Sequence, residues 1–306
     1  MTGPSAVLIA VTLALGLGLI YPRLRPALLS LAPARRSRVL FLLAIAPVAV
    51  GGLHAFLCLS AGLLEACLFH RHGDLPPLCD LHLASAVGLT LNLGIVLLLG
   101  LPLLRQVRRE VRARRRLRVL SGSASMVEGA RLVEVEAPFA AATDREILLS
   151  SGLLQNLAPH LLPSVLAHEQ AHLRRRDPAR QRWAARLAAL WLPGPRRALL
   201  ADLELACEQA CDEEAAEVVG DRLLVARALL AVERLLGGSA ALRPAAVGFD
   251  GGSLVARVEA LLAPPLAPGS AWVDRAAVSA TGAILVLLMD PIHHAAEALV
   301  GLLGLV

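Results

Sequence analysis

At 306 residues, 56% of them hydrophobic and with a mean hydropathy of +0.63, the chain is too apolar for an ordinary soluble domain. Its formal net charge of +5 rests on arginine alone, because none of the thirty basic residues is lysine, and arginine beside membrane spans explains that charge better than nucleic-acid binding does. The five cysteines (Cys58, Cys67, Cys79, Cys207 and Cys211) do not make a disulfide scaffold; they split into a membrane group and a soluble group.

A helix needs about 20 apolar residues to cross the hydrocarbon core. Residues 5–21 are the first candidate. A cleaved signal peptide would want a positively charged start, which "MTGPS" lacks. Residues 39–64 carry no formal charge between Arg38 and Glu65, and residues 83–104 form an uncharged run ending at Arg105. A fourth segment, about 272–290, has an uncharged part of only fourteen residues, "AAVSATGAILVLLM", so a re-entrant or interfacial helix stands beside a full span there. Trp272 marks its interface end.

Arginine asymmetry gives the orientation. The loop "YPRLRPALLSLAPARRSR" carries five arginines and "RQVRREVRARRRLR" carries eight, whereas "EACLFHRHGDLPPLCDLH" carries one. The positive-inside rule puts the first two in the cytoplasm and the N-terminus outside. Three units are therefore expected: three transmembrane helices in 1–104, a cytoplasmic domain in 105–271, and a fourth transmembrane helix with a short tail in 272–306. The arginine run at 105–118 lacks interleaved aromatics and reads as a headgroup anchor, with no direct nucleic-acid binding expected. The external loop holds Cys67, His70, His72, Cys79 and His82. A Cys67–Cys79 disulfide suits an oxidising exterior. A metal-sensing cluster and unrelated polar loop residues are the alternatives.

Within the insert, "ARLVEVEAPFAA" and "REILLS" read as two short strands around a turn at Thr143-Asp144. "SGLLQNLAPHLLPSVLAHEQAHLRRR" reads as helix, starting afresh near Pro163. Helical patterns follow over 196–219, 221–236 and "GGSLVARVEALLAP". Trp183 and Trp191 stand among arginines; contact with the membrane surface and plain core packing are both open for them.

The stretch "VLAHEQAHLRRRDP" contains His-Glu-x-x-His. Positions four apart share a helix face, so His168 and His172 can present imidazole nitrogens to one zinc ion at about 2.0–2.1 Å. Glu169 lies one step round, within reach of the place where a water would sit, and a carboxylate there can take its proton. A catalytic zinc needs three protein ligands and one open position. The third is sought in "LELACEQACDEEAAE", where Glu204 and Glu208 are both followed by x-x-Cys-acid. Glu208 is preferred, because Asp212 then lies one turn on, placed to accept a hydrogen bond from the far nitrogen of a ligating histidine. Glu204 and Glu213 read as solvated helix carboxylates. Cys207 and Cys211 read as small packing residues rather than ligands.

On "PFAAATDREILLSSGLL", "VLAHEQAHLRRRDP" closed by Asp177, "EQACDEEAA" and "LVARVEALLAP", the chain resembles the BlaR/MecR family of integral-membrane zinc metallopeptidases. It is more distantly similar to the HtpX and CAAX-prenyl-protease group. Three spans before the insert and one after it also match. The resemblance implies a mainly α-helical multi-pass membrane protein with a cytoplasmic α+β, zincin-like metallopeptidase domain. It implies Zn2+ held by His168, His172 and Glu208, Glu169 as general base, and Asp212 and Asp177 bonding the ligands from behind. Family members of the antibiotic-sensing kind cleave a winged-helix repressor of the BlaI/MecI type. No counterpart of their penicillin-binding domain is expected here, as the sequence stops shortly after the fourth segment. The expected function is a zinc endopeptidase of the bacterial plasma membrane that cuts a cytoplasmic protein. HtpX-like quality control and a non-proteolytic receptor with a relic site are the alternatives. The substrate is expected to lie extended along the sheet edge. Tyr21, the only tyrosine, sits at the end of the first span and is unsuited as oxyanion stabiliser; His160 or an arginine is the remaining choice.

Overall fold

The computed structural model describes residues 2–63, 125–237 and 251–266, with a few positions between 104 and 112. The expected spans over 83–104 (but for the last residue) and 272–290, the loop holding Cys67 and Cys79, and most of the arginine run lie outside the described residues.

Two long helices open the chain, α1 (Thr2–Leu29) and α2 (Pro33–Leu63). The sequence reading ends the first span at Tyr21 and starts a loop. The helix instead continues through Pro22 and Pro26. A helical proline removes one backbone hydrogen bond and need not end the helix if something else holds it. Here that hold is Asp202, which accepts hydrogen bonds from Tyr21 Oη at 2.8 Å and from Arg25 Nε at 2.6 Å and Nη2 at 2.8 Å. Tyr21 and Arg25 are four apart, so an unbroken helix is what brings both to one carboxylate. Within α2, Pro33–His54 is long and apolar enough to cross a membrane, the one such stretch among the described residues.

A four-stranded sheet follows, in the order β1 (Met126–Val127), β2 (Ala130–Val133), β4 (Ile147–Ser150), β3 (Ala140–Ala142). β1 and β2 form a hairpin across Glu128 and Gly129, whose φ values of 49° and 83° are those a two-residue turn requires. The run read as a single strand, "ARLVEVEAPFAA", is two. A tight turn from Val133 to Val135 ends β2, and the chain returns as β3 on the other side of β4. β2 pairs with β4 in parallel and β3 with β4 antiparallel, so β4 is central and fully buried.

Ser150 ends β4 and caps α3 (Ser151–Asn156), accepting the Leu153 N–H. Gly152 sits under the crossing chain. A Cβ there would stand 1.8 Å from the Glu136 carbonyl oxygen. Then come α4 (Leu162–Arg175), α5 (Asp177–Leu187), α6 (Pro193–Val219), α7 (Arg222–Gly237) and α8 (Gly251–Leu262). α5 was not foreseen as a separate helix. Arg176 adopts left-handed geometry, φ 56° and ψ 34°, and breaks the line between α4 and α5. That break turns Asp177 back towards α4.

The core has three parts. One joins the first two helices to α5 and α6 through Ala14, Tyr21, Leu40, Ala44, Ala184 and Trp191. It crosses the line drawn by hydropathy between a membrane unit and an insert. The second packs the sheet on α3, α4 and α7, and the third packs α8 against α4, α6 and α7. Gly152→Ala forces the Glu136 segment to shift; a loss of about 1–3 kcal/mol is expected, read as a lower midpoint of unfolding.

Candidate metal centre

α4 carries the His-Glu-x-x-His sequence and packs along α6 and β3. His168 and His172 project from the same face, with Nε2 atoms 3.1 Å apart. α6 brings Glu208 to both: Oε1 is 3.3 Å from His172 Nε2, and Oε2 is 3.5 Å from His168 Nε2. Four ligands at 2.0–2.1 Å in a tetrahedron stand about 3.3–3.4 Å from one another. The three closest separations lie near that edge, with Glu208 meeting the two histidines through different oxygens, so these side chains are placed to hold a zinc ion.

Each histidine is fixed by a carboxylate on its far side. His168 Nδ1 lies 2.9 Å from Asp212 Oδ1, and His172 Nδ1 lies 3.3 Å from Asp177 Oδ2. An ionised carboxylate only accepts, so each Nδ1 carries the proton and each neutral ring leaves its Nε2 lone pair for a metal. Arg257, on α8, holds the acids in turn. Its Nε and Nη2 bond Asp212 at 2.8 Å each, and its Nη1 lies 3.0 Å from Glu208 Oε2. Behind His172, Asp177 is completely buried between Arg175 at 3.0 Å and Arg180 at 3.3 Å, with the Cys211 thiol donating at 3.4 Å.

These contacts set the charge states. Burial opposes ionisation of Glu208, but Arg257 and His172 overcome it and hold the carboxyl well below its usual range. Asp212 is held low against burial by Arg257 and His168, and Asp177 by His172 and Arg175. Burial would lower His168, yet its bonds to Asp212 and Glu208 outweigh this and raise it to about 9. His172 is likewise raised well above its ordinary value, its burial outweighed by Glu208 and Asp177.

A second triad, His172 Nδ1, Asp177 and Cys211, is also close enough to hold a metal. It is a poor site. Asp177 is already neutralised by two arginines, and burial pushes the Cys211 thiol up to about 12. Neither Asp177 nor Cys211 lines the cavity on which the first set opens. The His168, His172 and Glu208 set opens on a cavity of about 310 Å³. Glu169 lines the same cavity, and its Oε2 accepts the backbone N–H of Ala142 on β3 at 2.6 Å. α7 lines the cavity with Val225, Ala228, Leu229, Val232 and Leu236, all apolar, and with Glu233.

Residues 133–194 match the model of peptidase family M48. The matched span holds His168, Glu169, His172 and Asp177, and the match supports a metallopeptidase. No curated protein and no solved structure matches the chain.

Of the residues singled out in the sequence, the structure brings His168, Glu169, His172, Glu208 and Asp212 to the cavity wall and sets Asp177 behind His172. His160 is exposed and off the cavity; the one arginine among the lining residues is Arg257. Glu204 is not a solvated carboxylate. It is half-buried, and burial together with the charge of Glu208 raises it to about 7. Glu213 is half-buried too, and burial raises it. Cys207 packs in the core. Trp191 is buried and Trp183 is half exposed. Arg257 and Arg175 were missed as site residues. The available signal for Arg257 was a lone arginine in an otherwise apolar helical stretch, "SLVARVEALL".

Protons and metal compete for the two Nε2 atoms. With His168 raised to about 9 and its Nε2 3.1 Å from that of His172, the pair holds at least one proton between the two Nε2 atoms at neutral pH without metal. Zinc binding near pH 7 should release at least one proton, measurable by titration calorimetry in buffers of different ionisation enthalpy. The affinity should climb as pH rises towards 9. The sign for the metal-free fold is opposite: the stabilisation from charged His168 is complete below about 6.5 and is lost as pH rises through about 9. Arg257→Met should weaken zinc binding about 10–100-fold, by competition with a chelating dye.

Proposed function

We propose that the protein is a zinc-dependent endopeptidase of the bacterial plasma membrane that cuts a cytoplasmic protein. The observation that carries this reading is the His168, His172 and Glu208 triangle at tetrahedral spacing, with Glu169 beside it on an open cavity. Zinc held there would acidify an attacking water and polarise the scissile carbonyl.

The protein's own residues supply the rest. β3 is an edge strand and borders the cavity with Ala140 and Ala142. Phe139 and Thr143 bond across to Ser150 and Glu146, so Ala140 turns its backbone groups outward, while the outward Ala142 N–H is taken by Glu169. An extended substrate can pair there, and the alanine side chains leave room for it. The apolar lining residues of α7 suit an apolar substrate side chain. Glu169 accepts the proton of the attacking water on a carboxylate oxygen and returns it to the departing amine nitrogen. Arg257 keeps Glu208 and Asp212 ionised and in place. As the one arginine lining the cavity among the described residues, it is also our choice for the group that steadies charge on the carbonyl oxygen.

In this reading α1 and α2 span the bilayer and the peptidase lies on the cytoplasmic side. The substrate is a regulator, a winged-helix repressor being the example that the resemblance offers. Glu169→Gln removes the base and keeps every ligand. It should bind zinc at the wild-type stoichiometry and lose about 10²–10⁴-fold in cleavage rate, scored by comparing the uncut cytoplasmic proteins of wild-type and variant cells. Wild-type activity in the variant would end this mechanism. The chain should also stay in membranes washed with alkaline carbonate.

A further inference from the structure

The turn from α5 into α6 has features that the peptidase chemistry does not use. Between Arg186 and Arg196 the chain reads "LAALWLPGP", with no charged residue. Residues 178–201 contain five arginines, of which Arg180 pairs with Asp177, Arg182 pairs with Asp144 and Arg196 donates to the Ala185 carbonyl. One side of the corner is packed. Trp191 is buried with its ring edge-on to Tyr21, centroids 6.0 Å apart. Leu192 comes within 3.5 Å of where a Cβ on Gly18 would stand. Gly18 lies about one turn inside Tyr21, within the apolar stretch of α1. From Leu192, α6 runs to Asp202, which meets Tyr21 and Arg25. The corner is therefore the end of α6 nearest the apolar part of α1.

The other side of the corner is open. Ala189, Pro193 and Gly194 are exposed, with Leu187, Leu190 and Leu192 part-exposed. About one turn earlier Trp183 is 50% exposed, and the Arg186 guanidinium lies 5.0 Å over its ring. An uncharged run of this length is too short to span a bilayer, which takes about 20 residues. A short apolar tip between arginines, with a tryptophan at its margin, matches the layered polarity of a membrane interface. Arg196 and Arg197, at the start of α6, place positive charge beside the tip, which complements anionic phosphates.

We propose that the α5–α6 corner, residues 183–197, is an interfacial anchor. Its apolar tip sits among acyl chains beside α1, and Arg196 and Arg197 lie at the phosphates of anionic lipids. This rests on the membrane reading of α1 and α2 proposed above. It also has a consequence for the reaction. Glu208 follows Pro193 by fifteen residues on one helix, about 22 Å at 1.5 Å per residue. The anchor holds the metal centre within that distance of the bilayer surface, so the peptidase acts on chain segments near the membrane.

The test uses Trp183 as a probe in the full chain, reconstituted into phosphatidylcholine–phosphatidylglycerol vesicles. There are three tryptophans, and Trp191→Phe with Trp272→Phe leaves Trp183 alone. If the double variant does not fold, the difference between wild type and Trp183→Phe isolates the same signal. Trp183 emission should be quenched by lipids brominated on their acyl chains and shielded from aqueous iodide. Arg196→Ala with Arg197→Ala should reduce the lipid quenching when phosphatidylglycerol is present and change it less in phosphatidylcholine alone. Quenching by iodide and not by bromolipid, in vesicles that keep the chain through a carbonate wash, overturns the anchor and leaves the membrane reading intact. Loss of the chain in the wash overturns the membrane reading, and the anchor with it.

Discussion

Arg257 bonds Asp212 twice and pairs with Glu208, and the metal centre depends on that clamp. A site of this kind must bury three acids (Asp177, Glu208 and Asp212) beside two histidines. Removing ionised carboxylates from water costs several kcal/mol each unless opposite charge is buried with them. Arg257 serves Glu208 and Asp212 from α8, while Arg175 and Arg180 serve Asp177 from α4 and α5. The charge therefore closes on itself without help from solvent. The ligands come from two helices, but the site is complete only when a third, α8, has docked. Gln209 Nε2 donates to the Ala256 carbonyl next to Arg257, and Arg222 caps the last carbonyls of α8 at Ala260 and Leu261. Both contacts align Arg257 with the acids.

The same polar network reaches α2. Arg36 and Ser37, neighbours in its first turn, are both buried. Arg36 bonds Gln209, next to the ligand Glu208. Ser37 accepts from Arg175 Nη2 at 2.8 Å, and Arg175 holds Asp177, which holds His172. Two short chains of hydrogen bonds thus run from adjacent residues of one helix to the two sides of the site. The groups along them are buried or, as at Arg175, partly buried, and they lose partners if they move apart. α2 cannot slide along its axis without breaking these bonds or carrying the ligand helices with it. Helix position and ligand geometry are mechanically one problem here.

Much of this was legible in the sequence where a local rule applies. His168, Glu169 and His172 follow from the four-residue spacing of a helix face, and Glu208 with Asp212 from the same spacing on a second helix. The Gly-rich and Pro-marked boundaries gave α4, α7 and α8 to within a few residues. What escaped was set by distance in the chain. The alternation in "ARLVEVEAPFAA" is carried by two strands flanking β4, and nothing local separates them. α1 runs past two prolines because Asp202, far along the chain, pairs with Arg25. Arg257 gains its role from acids 45 and 49 positions earlier. Glu204 reads as solvated because it is a carboxylate on a helix, yet it is half-buried and shares its face with Glu208.

α6 shows why periodicity alone could not assign these faces. It is buried nearly all round, so it has no single apolar stripe of the kind that marks a surface helix. Its polar residues divide by spacing instead. Asp202 and Gln209 are seven apart, two turns, and both face α1 and α2. Glu208 and Asp212 are four apart and both face α4. Glu214 reaches Arg174 and Arg175 at the end of α4. One straight helix thus meets α1 near Gly18 and again at Tyr21, meets α2 at Arg36, and presents a ligand and a ligand's support in the next turns. Because a helix fixes the angle and rise between these residues, the first contact determines where the last can be. The position of the ligands relative to α1 and α2 therefore follows from helix geometry, and no loop intervenes to loosen it.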